Sequence, residues 1–380
     1  MNIEQLPFEP DWSKYAAGLW GLSNVDRDQV TAYTTMPAKR ARIGHRGLYK
    51  PGFCQLANGD LLASPCYQAE DKRWFMKIYR STDNADSWQL VESSGADLLG
   101  KEPALTALSS GSILLVTSHP HKFRVHRSAD GGQTWTVTEL ADEYGMFRTV
   151  LEDDNGVLSM FVGKSVYFDP SAPQATAAII RSTDDGQTWS KHDDIAQWDH
   201  PVGTFDEGHA IRLEDGRILC AGRVWGDIPI EGSPPPRGIP TPEGDETGDY
   251  MVMMESTDEG HTWTKPRPLT NYGQPHGHFL KLKDGRLLCC YASYAMPFGP
   301  VAMFSNDDGK TWDTIHTIQL AISLNCYAGW PTSIQLDNGE IVTTYAIAAY
   351  LEGEGVSLTG PGKGDQVAES IRWTPPPKIA

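Results

Sequence analysis

Charged, imidazole and indole side chains recur at the starts of six similar segments of the chain. Each stands shortly before an apolar run that leads into a glycine turn, and the six are Lys50, Glu102, Arg148, Glu207, His276 and Trp330. Carboxylates and imidazoles can give and take protons, and a cation beside them can stabilise a charge that develops in a reaction. If the six segments converge, these residue types make an acid–base site for a polar substrate.

The segments themselves predict β-hairpins. Each reads as an apolar strand, a turn with glycine and a second apolar strand, and Asn-Gly or Asp-Gly between apolar runs is a strong hairpin signal. The six copies are residues 52–62, 103–114, 148–158, 209–219, 278–288 and 332–342. A hairpin that recurs in this way predicts a repeat architecture.

A second repeat, eight residues long, alternates with the hairpins. It has serine first, aspartate third and tryptophan eighth, and its copies are Ser81–Trp88, Ser128–Trp135, Ser182–Trp189, Ser256–Trp263 and Ser305–Trp312. The aspartate can accept backbone N–H bonds within a turn, and the tryptophan opens the next strand with a ring to bury. We therefore interpret these aspartates as structural, with calcium binding as the alternative.

Hairpin plus hairpin makes a four-stranded antiparallel sheet, and six such sheets predict an all-β fold, the six-bladed β-propeller. The last sheet lacks the eight-residue repeat, so residues near 31–40 are expected to pair with Gln366–Trp373 and close the ring. We expect a single propeller domain over residues 1–380, with an N-terminal extension over 1–30 and an insertion over 226–249 in the fourth blade. The insertion, rich in proline and glycine, is a candidate lid.

In this fold the starts of the first strands and the ends of the second strands share one face, opposite the eight-residue turns. Acids, bases and rings on that face are what a carbohydrate site needs. The candidate catalytic residues are Glu207, Asp71 (or its neighbour Glu70), Tyr327, His45 and His276, and the candidate substrate-binding residues are Arg46, Lys50, Glu102, Arg148, His209, Arg223, His278 and Trp330. The His276-Gly277-His278 spacing makes a metal conceivable, but no metal and no cofactor is predicted.

The alternation of the two repeats resembles that of the sialidase (neuraminidase) superfamily, whose eight-residue repeat is called the Asp-box or BNR repeat. The resemblance covers about residues 40–345. It implies an arginine triad for a substrate carboxylate, a tyrosine nucleophile assisted by a glutamate, and an aspartic acid as proton donor. The segment 206–223 is similar to the family's fourth-blade segment, which implies Glu207 as the glutamate and Arg223 as one arginine. Asp71 or Glu70 lies in the loop that holds the family's acid.

Three positions depart from the family pattern. The first arginine falls at Tyr49, although Arg46 and Lys50 are close, and the outer loop of the fifth blade has no arginine. The nucleophilic tyrosine falls at Trp330, which can act neither as a nucleophile nor as a base, and Tyr327 is the candidate substitute. A standard sialidase site is therefore not expected.

Three functions follow as alternatives, and a carbohydrate is the partner in each. The first is a sialidase-like exo-glycoside hydrolase that acts on a terminal, acidic sugar. The second is a polysaccharide lyase, in which histidine and tyrosine abstract the proton next to a uronate carboxyl. The third is a glycan-binding propeller without catalysis.

Bulk properties oppose other partners. The 380 residues carry a formal net charge of -17, which disfavours nucleic acid and anionic membrane surfaces. No apolar run approaches the length of a membrane span, and the first residues lack the pattern of a signal peptide. We expect a cytoplasmic protein, or a secreted or periplasmic one if the sequence begins at a processed N-terminus. The six cysteines lack metal-ligand spacing and are expected to be buried free thiols.

Overall fold

The computed structural model describes residues 36–118, 123–140, 145–164, 176–197, 206–224, 248–294, 297–326, 328–349 and 366–378. Side chains are described within these ranges except at 145–148, 163–164, 176–177 and 191–197. The predicted extension over 1–30, the insertion up to residue 247 and Tyr327 lie outside the described residues. In the described part of the chain the regular elements are β-strands, and no helix there is long and apolar enough to cross a membrane.

The strands form six sheets that follow one another along the chain. The first blade contains β2 (Tyr49–Gln55), β3 (Leu61–Gln68), β4 (Trp74–Met76), β5 (Ile78–Ser81) and β6 (Gln89–Val91). The second contains β8 (Lys101–Ala107), β9 (Ile113–Ser118), β10 (Phe123–Ser128) and β11 (Thr134–Leu140), with the short β7 (Ser94–Gly95) added in parallel to β11. Both β4 and β5 pair with β3, so they act as one interrupted third strand.

The next two blades have the same order of four strands. The third contains β12 (Gly145–Glu152), β13 (Leu158–Lys164), β14 (Thr176–Ser182) and β15 (Ser190–Gln197). The fourth contains β16 (Asp206–Arg212), β17 (Ile218–Val224), β18 (Tyr250–Ser256) and β19 (Arg267–Pro268). All of their strand pairs are antiparallel.

The last two blades complete the ring. The fifth contains β20 (His278–Lys281), β21 (Leu287–Ser293), β22 (Gly299–Ser305) and β23 (Asp313–Gln319), and the sixth contains β24 (Gly329–Gln335), β25 (Ile341–Ala348), β26 (Gln366–Trp373) and β1 (Ala38–Ile43). The earliest strand pairs with the latest, from Ala38 opposite Trp373 to Ile43 opposite Ala368. The six-bladed all-β propeller and its closure by an early strand against Gln366–Trp373 are thus confirmed, although that strand is Ala38–Ile43 and not residues 31–40.

The hydrophobic core lies between the blades. Every residue of β17 and of β21 is buried, because a neighbouring blade covers each face of these second strands. The glycines of the eight-residue turns fit the same close packing. A Cβ atom on Gly186, whose φ is 79°, would lie 2.9 Å from the Leu114 side chain of the blade before it.

The eight-residue turns are closed by their own side chains. In the third blade the Ser182 hydroxyl donates to Asp184 at 2.8 Å, and the Thr188 hydroxyl donates to the same carboxylate at 2.6 Å. The Gly186 amide donates to Ser182 Oγ, and the Trp189 indole N–H donates to the Gly186 carbonyl. The hydrogen bonds that end on the Asp184 carboxylate, with those from Thr188 first among them, hold the pKa of Asp184 down to about 2. The aspartate is occupied within the turn, as expected of a structural residue.

The cysteines form no disulfide. Cys54, Cys66, Cys220, Cys289 and Cys290 are buried, while Cys326 is half-buried. Burial raises the pKa of Cys54 to about 12, so its thiol stays protonated and inert. The expectation of free thiols in apolar strands is confirmed, apart from the partial exposure of Cys326.

Candidate functional site

The inner strands of the propeller begin with the same irregularity. Nine residues before the turn glycine, the six segments carry Lys50, Glu102, Phe147, Glu207, His276 and Trp330. Five of these residues have a positive φ, of 49° at Lys50, 58° at Glu102, 45° at Glu207, 64° at His276 and 51° at Trp330. The strand ladder also skips residues beside Lys50, Glu102, Glu207 and Trp330, which marks a β-bulge at each. Such backbone is uncommon for these residue types and is typical of functional sites.

The Lys50 ammonium lies between two carboxylates. Its Nζ is 2.5 Å from Glu102 Oε1 and 2.7 Å from Glu207 Oε1. The exposed fractions of the Lys50, Glu102 and Glu207 side chains are only 5%, 9% and 9%. The second Glu102 oxygen is buried and has no hydrogen-bond partner among the described residues. One cation therefore joins the inner strands of the first, second and fourth blades and leaves one carboxylate oxygen unoccupied.

Glu207 makes a second set of contacts on its other oxygen. Oε2 lies 2.5 Å from His276 Nδ1 and 3.5 Å from Arg223 Nη1. On the far side of the imidazole, His276 Nε2 is 2.8 Å from the Tyr294 hydroxyl. A carboxylate beside Nδ1 keeps the proton on that nitrogen, so Nε2 accepts the hydrogen bond from the tyrosine O–H. The carboxylate contacts the imidazole and the imidazole contacts the phenol, and such a series of groups can activate a hydroxyl group.

Arg223 is surrounded by carboxylates. Its Nε donates to Asp206 Oδ1 at 3.0 Å, and its Nη1 lies 3.4 Å from Asp249 Oδ2. Glu207 is its third acidic neighbour. Arg223 and Lys50 are the permanent cations in contact with these acids among the described residues, and each is already paired with at least two of them.

An aromatic wall covers one side of the ammonium. Lys50 Nζ lies 4.4 Å from the centroid of the Trp330 ring, a distance at which the ring attracts a cation. The Trp330 ring is fully buried and also meets Tyr49 edge-on at 5.2 Å and His276 at 4.8 Å between centroids. Trp330 was predicted to bind substrate, but in this arrangement it offers no open face to a sugar, because its neighbours cover it. We call Lys50, Glu102, Glu207, His276, Arg223, Asp206, Asp249, Tyr294 and Trp330 the carboxylate cluster.

The surroundings drive the pKa values of the two glutamates apart. Burial raises the pKa of Glu102, with Lys50 opposing and Glu207 adding to the rise. Burial acts on Glu207 as well, but Arg223, His276 and Lys50 outweigh it and hold its pKa well below the usual value. Burial also lowers the pKa of His276 to about 4, against the pull of Glu207. At neutral pH Glu207 is ionised, His276 is neutral, and Glu102 is the carboxyl that more readily holds a proton.

His209 and His278 lie two residues further along their inner strands than Glu207 and His276, and they line the central channel. This channel contains a cavity of about 370 Å³. The two imidazole rings are 3.9 Å apart between centroids, and each Nδ1 accepts a backbone N–H from the following blade, that of Phe279 or Ser333. These two predicted substrate-binding residues therefore help to join neighbouring blades around the channel.

Two predicted catalytic residues lie outside the carboxylate cluster. His45 is exposed, with Nδ1 2.6 Å from the Arg46 carbonyl oxygen and Nε2 3.0 Å from Lys77 Nζ. Asp71 is exposed and pairs with Arg73 at 2.7 Å. Hydrogen bonds from Arg73 lower the pKa of Asp71, which opposes a role as a general acid. Both side chains pair locally and do not contact the carboxylate cluster, so their catalytic roles stay predictions.

Four further predicted site residues are Glu70, Arg46, Arg148 and Tyr327, and the structure describes the side chains of only the first two. Glu70, the alternative acid, is exposed on the same turn as Asp71, and Arg46 is half-buried next to His45. Arg148 stands eight residues before Gly156 rather than nine, so it is out of step with the series, and its side chain lies outside the described part. Tyr327 is likewise outside it. No group of three or more His, Cys, Asp and Glu side chains in the described ranges is arranged to hold a metal ion.

Three members of the cluster, Asp206, Asp249 and Tyr294, were given no catalytic or substrate-binding role in the sequence analysis. Asp249 is the last residue of the insertion, directly before β18, and its long separation from Arg223 hid the contact between them. Tyr294 follows the second strand of the fifth blade, much as Arg223 ends the second strand of the fourth. Its place after a second strand marks Tyr294 as a residue of the same face, but the sequence assigns it no role there.

Six sheets in a ring, joined by recurring turns, define a β-propeller of the type found in sialidases and arabinanases. The family model described as the BNR repeat-like domain matches residues 239–345. A stretch of 115 residues, 30% of the chain, is 29% identical to the vacuolar protein sorting/targeting protein 10 of Sordaria macrospora. The chain spans only 6% of the length of that curated relative.

Solved structures resemble the whole propeller. A protein of unknown function from Dyadobacter fermentans superimposes with a TM-score of 0.66 at 19% identity, covering 89% of this chain and 98% of the other. An α-L-arabinanase of Penicillium chrysogenum, in complex with arabinobiose, gives 0.62 at 15% identity over 89% and 98%. A Hadza microbial sialidase gives 0.57 at 17% identity over 86% and 65%. At these identities the similarity establishes the fold, and sugar-cleaving enzymes are among the proteins that share it.

Proposed function

We propose that the protein is a glycoside hydrolase that acts through Glu102 and Glu207. The observation that carries the proposal is the contact of both carboxylates with the single Lys50 ammonium. Most glycoside hydrolases use two carboxyl groups, one as the acid and one as the nucleophile or base. The sugar-cleaving enzymes among the structural neighbours support the same class.

The spacing of the carboxylates favours retention of configuration. Glu102 Oε1 and Glu207 Oε1 lie 2.5 and 2.7 Å from Lys50 Nζ. The distance between the two oxygens therefore cannot exceed the sum of these two distances. Retaining enzymes hold their carboxyl groups about 5–5.5 Å apart, whereas inverting enzymes leave about 6.5–9.5 Å for a water molecule. With Lys50 between them, the two oxygens are closer together than the inverting arrangement requires.

The pKa difference assigns the roles. Glu102, with its raised pKa, is the proton donor to the leaving oxygen, and Glu207, held ionised, attacks the anomeric carbon. The bond to the leaving group breaks as the Glu207–sugar ester forms. Glu102, now a carboxylate, then takes a proton from the water that cleaves the ester, and it returns to its starting state.

The charge of the cluster favours a neutral sugar over the acidic one expected from the sequence. Lys50 and Arg223 already contact the carboxylates of Glu102, Glu207, Asp206 and Asp249. A substrate carboxylate would have to compete with these acids for the same two cations, at a cost in electrostatic repulsion. The Penicillium neighbour was solved in complex with arabinobiose, which is a sugar without a carboxylate. We propose a neutral glycoside of this kind as the substrate.

A panel of neutral and acidic aryl glycosides, with arabinobiose, tests this proposal. We expect release of reducing sugar from a neutral member, and methanol added as acceptor should give a methyl glycoside of unchanged anomeric configuration. Glu102→Gln and Glu207→Gln should each lose turnover, while Glu92→Gln, an exposed glutamate in the first blade, should keep it. Cleavage of acidic members alone, or full activity in Glu207→Gln, would refute the assignment.

A lyase is the second candidate, because one observation favours it. His276 Nε2 lies 2.8 Å from the Tyr294 hydroxyl, and such a pair can abstract a proton next to a uronate carboxyl. A lyase leaves an unsaturated product that absorbs ultraviolet light, whereas a hydrolase does not. Ultraviolet absorbance from a uronate polymer, lost in Tyr294→Phe, would decide for the lyase. Glycan binding without either product would decide for a non-catalytic propeller.

A further inference from the structure

The Lys50 ammonium occupies the place where the chemistry of the proposed hydrolase has to happen. Between an acid and a nucleophile stand the leaving oxygen and the anomeric carbon of the sugar. In the structure this place holds Lys50 Nζ, at hydrogen-bond distance from both Glu102 and Glu207. A sugar carbon and oxygen cannot share that space with the ammonium.

We propose that Lys50 is a built-in occupant of the sugar subsite, which a substrate must displace in order to react. The inference rests on the proposed hydrolase function and adds a residue that determines how tightly the sugar binds. The free protein thus keeps its two reacting carboxylates paired with an internal cation.

Two aromatic rings beside Lys50 can hold the ammonium when it leaves the carboxylates. The faces of Trp330 and Tyr49 lie 4.4 and 5.4 Å from Nζ, and aromatic faces attract a cation. The lysine stem has four rotatable bonds, so the charge can move while the backbone bulge at Lys50 stays in place. A shift from the carboxylates toward the rings opens the space between Glu102 and Glu207.

This occupancy affects substrate and transition state differently. A neutral sugar that displaces Lys50 leaves two carboxylates without their shared counterion. As the glycosidic bond breaks, the sugar ring gains positive charge, and this charge takes the place of the ammonium between the same carboxylates. The displacement therefore weakens binding of the ground state more than that of the transition state, which is the direction that favours turnover.

Lys50→Met tests the proposal, with Lys72→Met as the matched control. Lys72 also has a positive φ, of 68°, but it is exposed and makes no contact with the carboxylate cluster. We expect Lys50→Met to bind arabinobiose about tenfold more tightly than the wild type in a calorimetric titration, and Lys72→Met to be unchanged. The rate at saturating sugar should fall, and its acidic limb should move to higher pH, because the carboxylates have lost a cation. If Lys50→Met does not fold, Lys50→Gln serves for the same titration.

A second measurement does not depend on the sugar. Lys50→Ala removes a propylammonium group and should bind added n-propylammonium, seen as a rise in melting temperature that is absent from the wild type and from Lys72→Ala. The double variant Lys50→Ala/Glu207→Gln should show no such rise. If Lys50→Met weakens sugar binding, Lys50 is a fixed contact to the sugar and the proposal is wrong. If n-propylammonium does not bind Lys50→Ala, the position is sealed and the proposal is equally wrong. If no variant binds or cleaves any sugar but n-propylammonium binds, the hydrolase function fails while the exchangeable cation position stands.

Discussion

Replacement of Glu207 by glutamine should cost much more stability than the same replacement of Glu102. Glu207 lies within 2.7 Å of Lys50 Nζ and 2.5 Å of His276 Nδ1, and it is more than nine-tenths buried. Glu207→Gln keeps the shape of the side chain but removes the charge that Lys50 and Arg223 face. Loss of one partner from a buried ion pair costs about 3–5 kcal/mol, and we expect the lower end here because Glu102 still pairs with Lys50.

The loss of stability in Glu207→Gln should depend on pH. The pKa of Glu207 is lower in the folded protein than its ordinary value of 4.5, so its ionised form is stabilised by folding. That contribution is complete above the ordinary pKa and is lost as the pH falls through the folded pKa. The difference in unfolding free energy between wild type and Glu207→Gln should therefore be largest at neutral pH and should shrink in acid.

Glu102→Gln is the matched comparison. The pKa of Glu102 is raised by burial, so folding favours its protonated form and its ionisation at higher pH works against stability. Glutamine imitates the protonated carboxyl, and Glu102→Gln should cost much less than Glu207→Gln at neutral pH. Urea titrations followed by tryptophan fluorescence, at neutral and acidic pH, measure both variants. Equal losses, or a larger loss for Glu102→Gln, would refute the account of the two environments.

Three further expectations concern the blades, the imidazole and the thiols. The Trp135 side chain is only 2% exposed, and Trp135→Ala should lower the free energy of unfolding by about 3–5 kcal/mol. Trp189→Ala should lower it less, because that ring is half-buried. Equal losses in urea unfolding would contradict this expectation. Tyr294→Phe should leave glycoside hydrolysis within about threefold, and a drop of about 10²-fold or more in kcat would instead make Tyr294 a base or nucleophile. A thiol reagent should label Cys326 in the native protein and all six cysteines after unfolding, and rapid native labelling of Cys290 would contradict its burial.

Much of the fold could be predicted because its signals are local and repeated. Gly186 and Asp184 close a turn through neighbours within a few residues, and the same arrangement recurs in the other eight-residue turns. Ring closure could be predicted as well, because the sixth blade had no fourth strand except the one supplied by the chain before Tyr49. The interruption between β4 and β5 and the added β7 depend on packing and left no such signal.

The sequence predicted which residues belong to the site better than it predicted which of them contact one another. Lys50, Glu102, Glu207, His276 and Trp330 were predicted because they stand just before or at the start of the first strand of their hairpins. The sequence could not reveal that Lys50 lies between the two glutamates, since that depends on how side chains from three blades meet.

Residues on longer loops were harder to place. Asp71 and His45 begin from the correct face, but both side chains pair locally instead of reaching the cluster. The acidic substrate was inferred from the arginine at 223, whose carboxylate neighbours became evident only in the folded chain.

The most direct test of the central claim is to trap the covalent intermediate. A 2-deoxy-2-fluoro glycosyl fluoride of the sugar that is cleaved should inactivate the protein, because the fluorine slows hydrolysis of the glycosyl ester. Mass spectrometry of the digested protein should then find one added glycosyl group on the peptide that contains Glu207, and none in Glu207→Gln. A label on Tyr294 or on any other residue, or turnover without any label, would contradict the role of Glu207 as the nucleophile.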